Sequence, residues 1–307
     1  MSSARPSGSR ILPRVWVALL VSLLAGTVGA YSQPAKVRSR LFQPGPMAAL
    51  ASGELVVLEG KGGLVKVSPA TGRLEILVEQ FRPYLAMGVE TGLPGARGEI
   101  LVGMRLIPAG GLGFSRLVLY SEKGSELASW QLSSPGFLTG MASDPERGIL
   151  YLADAKSSEI LGLPLEDPSA PPALRVRLRG VGSVGGLAFD AAGSRLFVAD
   201  PIKGNLFVIE GSSARGKRIG SRLGEPAALA IDQQTHRLYV ADPAGRRLWV
   251  VDLESEELTP QLFSQAEELQ SPVGLAATPD GTLWVSDSAA NALFAVDRDG
   301  VIVRQIP

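Results

Sequence analysis

The sequence predicts an all-β chain, a six-bladed β-propeller with four antiparallel strands per blade, and three observations carry that reading. Four stretches read almost alike: ILYLADA (149–155), RLFVADP (195–201), RLYVADP (237–243) and TLWVSDS (282–288). Their aspartates, Asp154, Asp200, Asp242 and Asp287, stand 46, 42 and 45 residues apart, a period that marks a repeat architecture. Each stretch also has an upstream companion: GMASD (140–144), GLAFD (186–190), ALAID (228–232) and GLAAT (274–278).

The elements of one repeat follow in order. From Asp144 to Asp154, Asp190 to Asp200 and Asp232 to Asp242 the separation is ten residues, which holds a tight turn and a second strand. A small-residue turn then leads to a third apolar run: EILGL (159–163), NLFVI (205–209), RLWVV (247–251) and ALFAV (292–296). A fourth, more variable strand closes each repeat, as in LRVRL (174–178) or KRIGS (217–221). Four short antiparallel strands in about 45 residues make one propeller blade.

Two weaker copies lie upstream. GELVVLEG (53–60) and EILVGMR (99–105) fill the second-strand place, with Glu59 and Met104 extending the series at intervals of 45 and 50 residues. The Gly-rich insert PAGGLGF (108–114) accounts for the longer second repeat. Second strands are therefore expected near 54–59, 99–104, 149–154, 195–200, 237–242 and 282–287. PLEDPSAPPA (164–173) falls between the third and fourth strands of one blade and reads as a surface loop, not a domain linker.

The domain reading has three parts: 1–30 a secretory signal peptide, 31–43 an N-terminal segment with a possible closing strand, and 44–307 the propeller. The signal reading rests on Arg5, Arg10 and Arg14, the apolar run 15–26 and a small-residue exit at 28–30, with maturation expected near Tyr31. It implies a secreted or periplasmic protein with no stable membrane span after cleavage, since the apolar run is shorter than the roughly 20 residues a spanning helix needs. Without cysteine there is no lipid-anchored thiol and no disulfide framework. Residues 31–307 carry 27 basic and 30 acidic groups, a balance that gives no support to nucleic-acid binding. A monomer is expected.

Ring closure has two candidates for the outer strand of the last blade: VIVRQI (301–306) and KVRSRL (36–41). The first needs only the short DRDG turn and loses less loop entropy, so it is expected to be the fourth strand. The second, with Val37, Ser39 and Leu41 alternating against Lys36, Arg38 and Arg40, is expected to pair outside it or to lie along the ring as a latch.

On these residues, GLAFD, LYVAD and RLWVV among them, the chain from about 44 onward resembles six-bladed propellers of the NHL-repeat type, in which a rhythm of GLAVD, LYVAD and VxVFD recurs. It is similar in the same rhythm to the gluconolactonase and senescence-marker-protein superfamily. That resemblance implies a divalent cation in the central funnel, held by a Glu, an Asn and an Asp just before the innermost strands. The matching positions here read PGP (44–46), GG (185–186) and PAA (226–228), so Pro44, Gly185 and Ala227 stand where the ligands would be. The other three such positions are Leu85, Thr139 and Val273, and the ring offers one hydroxyl against the six to eight oxygens a hard cation takes.

No catalytic residue, cofactor or metal ligand is assigned. The aspartates at the strand ends read as acceptors for the backbone of their own turns. His236, the single histidine, lies in the turn QQTHR, and no serine sits in a GxSxG setting. GKGG (60–63) lacks the helix and Lys-Ser/Thr of a phosphate loop. One positive feature remains: Lys61, Arg105, Lys156, Lys203 and Arg246 occupy the turn after the second strand in five successive blades, a rim able to attract an anion. The functional expectation is a binding or scaffold module that uses its funnel face for a partner protein or an anionic ligand. The alternative is a gluconolactonase-like or strictosidine-synthase-like enzyme with a divergent site.

Overall fold

The computed structural model describes residues 36–60, 62–81, 84–91, 98–106, 114–132, 136–211 and 216–307, with the backbone alone at 84–86, 106 and 114. The chain divides into two compact units, Met1–Pro34 and Ala35–Pro307, and all described residues belong to the second. The expected signal segment, Tyr31, Lys61 and most of the 108–114 insert lie outside the described residues. Among the described residues no helix is long and apolar enough to cross a membrane.

Six antiparallel sheets form a six-bladed β-propeller. Blade one comprises β2 (Pro44–Ala49), β3 (Leu55–Glu59), β4 (Leu64–Val67) and β5 (Leu74–Val78), with β1 (Lys36–Arg38) added outside β5. Blade two runs β6 (Tyr84–Glu90), β7 (Ile100–Leu106), β8 (Phe114–Tyr120) and β9 (Glu126–Gln131). Blade three runs β10 (Leu138–Asp144), β11 (Ile149–Asp154), β12 (Glu159–Pro164) and β13 (Leu174–Arg177). Blade four has β14 (Leu187–Asp190), β15 (Arg195–Asp200), β16 (Asn205–Glu210) and β17 (Gly216–Gly220). Blade five has β18 (Ala228–Asp232), β19 (Arg237–Asp242), β20 (Arg247–Asp252) and β21 (Gln261–Ser264). Blade six has β22 (Pro272–Ala277), β23 (Leu283–Asp287), β24 (Ala292–Val296) and β25 (Ile302–Ile306). The second strands fall where the repeat places them except in blade two, where β7 runs on beyond the expected Met104 to Leu106.

Position in the blade explains the sequence of each strand. The second strands are covered on both faces by neighbouring blades, so β3 and β23 are buried at every residue and read as unbroken apolar runs. Outer strands have one solvated face, and β9 alternates between exposed and half-buried residues. The core is a ring of interfaces between blades. Leu196, Phe207 and Ile209 of blade four pack on Tyr151, Ile160 and Val176 of blade three. Leu55, Val57 and Leu74 of blade one pack on Trp284, Leu293 and Ile306 of blade six, closing the circle. Each fully buried side chain of this size contributes about 1.5–3 kcal/mol.

β25 is the outer strand of blade six, with Phe294 opposite Gln305, as its short turn predicts. The N-terminal segment differs from expectation. β1 pairs outside β5 of blade one, with Lys36 opposite Ile76 and Arg38 opposite Leu74, not outside β25. There Lys36 Nζ lies 2.5 Å from the Glu79 carboxylate, and the Arg38 guanidinium pairs with Glu59 at the end of β3. The alternation stops early, and Val37 is 54% exposed while Leu41 is buried. Beyond β1 the segment also reaches the last blade. The Leu41 backbone N–H donates to Pro307 O at 3.3 Å, and the Leu41 side chain joins the cluster containing Ile306.

Candidate functional site

The aspartates at the ends of the second strands organise one face of the ring. Asp200, with no exposed surface, accepts the backbone N–H groups of Gly182 (3.0 Å), Ser183 (3.1 Å) and Lys203 (3.1 Å) and the Asn205 amide (3.3 Å). Asp287 takes the N–H groups of Gln270, Ser271, Ala289 and Ala290. Asp242 takes those of Glu225 and Gly245 and the Arg247 guanidinium, and Asp154 those of Phe137 and Lys156. Each carboxylate thus fastens its own turn, as the sequence indicates, and also the loop that leads into the innermost strand of the same blade. Asp190, in the earlier row, is clamped by Arg195 Nε and Nη2 at 2.9 and 2.6 Å. Each of these carboxylates is held by structural partners, although Asp190 Oδ1 is buried with no hydrogen-bond partner.

The innermost strands β2, β6, β10, β14, β18 and β22 line an axial channel of about 630 Å³. They approach closely because glycine recurs at one position of the rhythm. A Cβ on Gly186 would stand 2.4 Å from Ala227 O, and one on Gly140 would stand 2.3 Å from Gly185 O. The wall is mostly apolar, with Met87, Met141, Leu229 and Leu275 among the lining residues. At the end of the inner strands, one residue before each hairpin turn, a level of six half-buried side chains faces the channel: Ala49, Glu90, Ser143, Phe189, Ile231 and Ala277.

Glu90 is the single ionisable group among the described residues that line this channel. The Ser143 hydroxyl donates to its Oε1 at 3.2 Å. Burial pushes the carboxyl up to about 8, against smaller opposing contributions from the Ser143 hydroxyl and the Thr91 backbone. The sequence reading, which looked at the beginnings of the inner strands, missed this residue at the end of one. The signal was available: VET (89–91) aligns with ASD (142–144), AFD (188–190) and AID (230–232) once blade two is placed in register.

The six positions read as the funnel ring are distributed as follows. Thr139, Ala227 and Val273 line the channel. Pro44 is buried opposite Glu59, and Pro46 lines the channel in its place. Gly185 bonds its N–H to Ala199 O at 2.9 Å, and Gly186 lines the channel beside it. Leu85 lies in β6 opposite Arg105, two residues before the lining residue Met87. Of the rim cations, Lys203 Nζ donates to Gly180 O at 2.9 Å, and Arg246 Nε donates to Leu269 O at 2.9 Å. Arg105, expected in a turn on the rim, instead lies within β7 between Leu85 and Ser115, 9% exposed and with its guanidinium 3.5 Å from the centre of the Phe137 ring. Lys156 is exposed, and Lys61 is not described. His236 sits in its turn at φ 50° and accepts the Leu253 N–H on its carbonyl.

Among the described residues no three of His, Asp and Glu gather as a metal site. The channel's oxygen donors are one carboxyl, the hydroxyls of Thr91, Thr139 and Ser143, and the Gln233 amide, whose Nε2 donates to Phe189 O. Such a set does not fit a hard divalent cation, which draws several carboxylate or carbonyl oxygens to one point.

A family model described as the SMP-30/Gluconolactonase/LRE-like region matches residues 191–307. No curated protein matches the chain. Solved structures similar to it include one from a nidogen/laminin complex, at a TM-score of 0.64 and 14% identity, over 82% of this chain and 92% of that one. PQQ-bound aldose sugar dehydrogenase from Streptomyces coelicolor has a TM-score of 0.60 and 19% identity, over 84% and 94%. A catalytically inactive virginiamycin B lyase from Staphylococcus aureus with quinupristin has a TM-score of 0.60 and 13% identity, over 89% of both chains. At these identities the likeness is one of fold, and a shared fold hosts unrelated activities.

Proposed function

We propose that this propeller is a binding module whose axial channel holds a small, predominantly apolar molecule. The observation that carries the reading is the channel itself: about 630 Å³, walled by all six inner strands, with one ionisable side chain among its described lining residues. Ligand sites are concave, mostly apolar, within this size range and furnished with a few polar groups. The rim cations support it less, because Lys203 and Arg246 already donate to backbone carbonyls. The reading takes the chain to work after export, on the strength of Arg5, Arg10, Arg14 and the apolar run 15–26.

The test is a fluorescence titration with N-phenyl-1-naphthylamine, an uncharged apolar reporter. One-to-one binding is expected, and it should be lost in Ala49→Trp and in Ala277→Trp, which fill the channel from two blades without touching the ring's core aspartates. Failure of the wild type to bind, or unchanged binding in both variants, would overturn the reading. A lactonase-type hydrolase is the second reading, favoured by the family match over 191–307.

A further inference from the structure

We propose that the carboxyl of Glu90 is the channel's ligand anchor, giving a hydrogen bond to a carbonyl or similar acceptor on a neutral, otherwise apolar molecule. The inference rests on the channel reading above and deepens it. Glu90 occupies a level at which the other five blades present Ala49, Ser143, Phe189, Ile231 and Ala277, so one blade alone departs from small or apolar wall. A carboxyl at such a place loses solvation and gains no structural role comparable to that of Asp200 or Asp242. Its own-sheet neighbour opposite is Leu101 on β7. Across the gap to blade three it meets the Ser143 hydroxyl, and toward blade one the Thr91 hydroxyl beside it is spent on Ala49 O at 2.5 Å.

Among the described residues, then, no charged or titratable group faces Glu90 from β2, β7 or β10. Asp144, next along β10, is 2% exposed and takes the Arg147 backbone N–H. With no cation among the described residues to hold the carboxylate, burial keeps the acid protonated to about pH 8. A protonated carboxyl has one O–H to donate, and its donors among the described residues, the Ser143 hydroxyl and the Thr91 N–H, use its acceptor capacity and leave that proton free for a ligand. Below that pH the described lining of the channel carries no charge, which disfavours carboxylates and phosphates on desolvation grounds and admits uncharged molecules. A carbonyl compound then satisfies both the apolar wall and the single buried donor.

Three probes with the same two rings separate the possibilities: benzophenone, its hydrocarbon counterpart diphenylmethane, and the cationic benzhydrylamine, each read by displacement of N-phenyl-1-naphthylamine. Benzophenone should bind about tenfold tighter than diphenylmethane at about pH 6.5, the size of one net hydrogen bond, and the preference should vanish by about pH 9.5. Glu90→Leu should abolish the preference at both pH values, and Glu90→Gln, whose amide still donates, should retain it without pH dependence. Equal binding of the first two probes, or a preference that survives Glu90→Leu, would overturn the role of Glu90 while leaving the channel reading intact. Tightest binding of benzhydrylamine would overturn the neutral-ligand class in favour of an ionised carboxylate. Binding of none of the probes, reporter included, would overturn the channel reading as well.

Discussion

Ser183 donates its backbone N–H to Asp200 across a separation of 17 residues, at 3.1 Å, and four further blades repeat that spacing. Phe42 and Glu59, Phe137 and Asp154, Glu225 and Asp242, and Gln270 and Asp287 stand in the same relation. A carboxylate at the strand end therefore holds the approach to the channel wall in all five blades, and in the four with Asp it also holds the turn that follows. In blade two the end of β7 carries Met104 and Arg105, so that blade has no carboxylate at this position.

Removing such a post leaves several buried N–H groups without acceptors. Asp200→Ala should lower unfolding stability by about 3–5 kcal/mol, and Asp200→Asn, which keeps one oxygen, by about 1–3 kcal/mol. Equilibrium denaturation in urea measures both. A loss below that of an ordinary surface substitution would contradict the assigned role.

Close packing of the inner strands makes a second prediction. Gly186→Ala places a methyl 2.4 Å from Ala227 O and should cost about 2–4 kcal/mol, since both groups belong to backbone that the neighbouring blades hold. Gly45→Ala is the control, because its Cβ would meet Leu58 O at an ordinary 3.4 Å. The two midpoints of denaturation should differ clearly.

Glu90 makes stability depend on pH with a definite sign. Its carboxyl titrates near 8 in the fold against an ordinary value of 4.5, so the fold binds the proton more tightly than the unfolded chain does. The contribution is full below about pH 4.5 and is lost as pH rises through about 8. Because the side chain keeps some surface open to the channel, the loss should be on the order of 1–3 kcal/mol. Glu90→Gln should flatten this part of the Tm-versus-pH curve and exceed the wild type in relative stability above pH 8. Parallel curves for the two proteins would count against it.

The N-terminal latch can be removed without touching a blade. A chain that starts at Phe42 lacks β1, the Arg38–Glu59 pair and the buried Leu41, yet keeps every strand of β2 to β25. It should fold to the same circular-dichroism spectrum with a lower Tm, the Leu41 side chain alone contributing about 2 kcal/mol. Failure to fold would show that the segment is integral to closure.

The lactonase-type alternative is tested by metal. Calorimetric titration with calcium, zinc and manganese should show no stoichiometric binding, because the channel's described wall carries the single carboxyl Glu90. Micromolar binding that disappears in Glu90→Gln would revive that reading.

By itself the sequence determined the period, the number of blades and the identity of their strands. These rest on local chemistry: apolar runs for doubly covered strands, Asp with Pro, Gly or Ala for turns, and ten residues for one turn and one strand. Even the strong blades left half of each aspartate's work unread, since the bond from Ser183 to Asp200 joins segments that meet only when the innermost strand folds back beside the second. Only the tertiary structure decided where the N-terminal strand pairs, because two sheet edges fit its alternation equally well and the partners it meets, β5, Glu79 and Glu59, come beside it only in the folded blade. Only it brought Glu90 into the channel. Blade two is the most divergent copy, and a one-residue change of register in a strand turns every side chain to the other face, so Glu90 could be read as wall or as solvent until Leu101 and Ser143 settled its place.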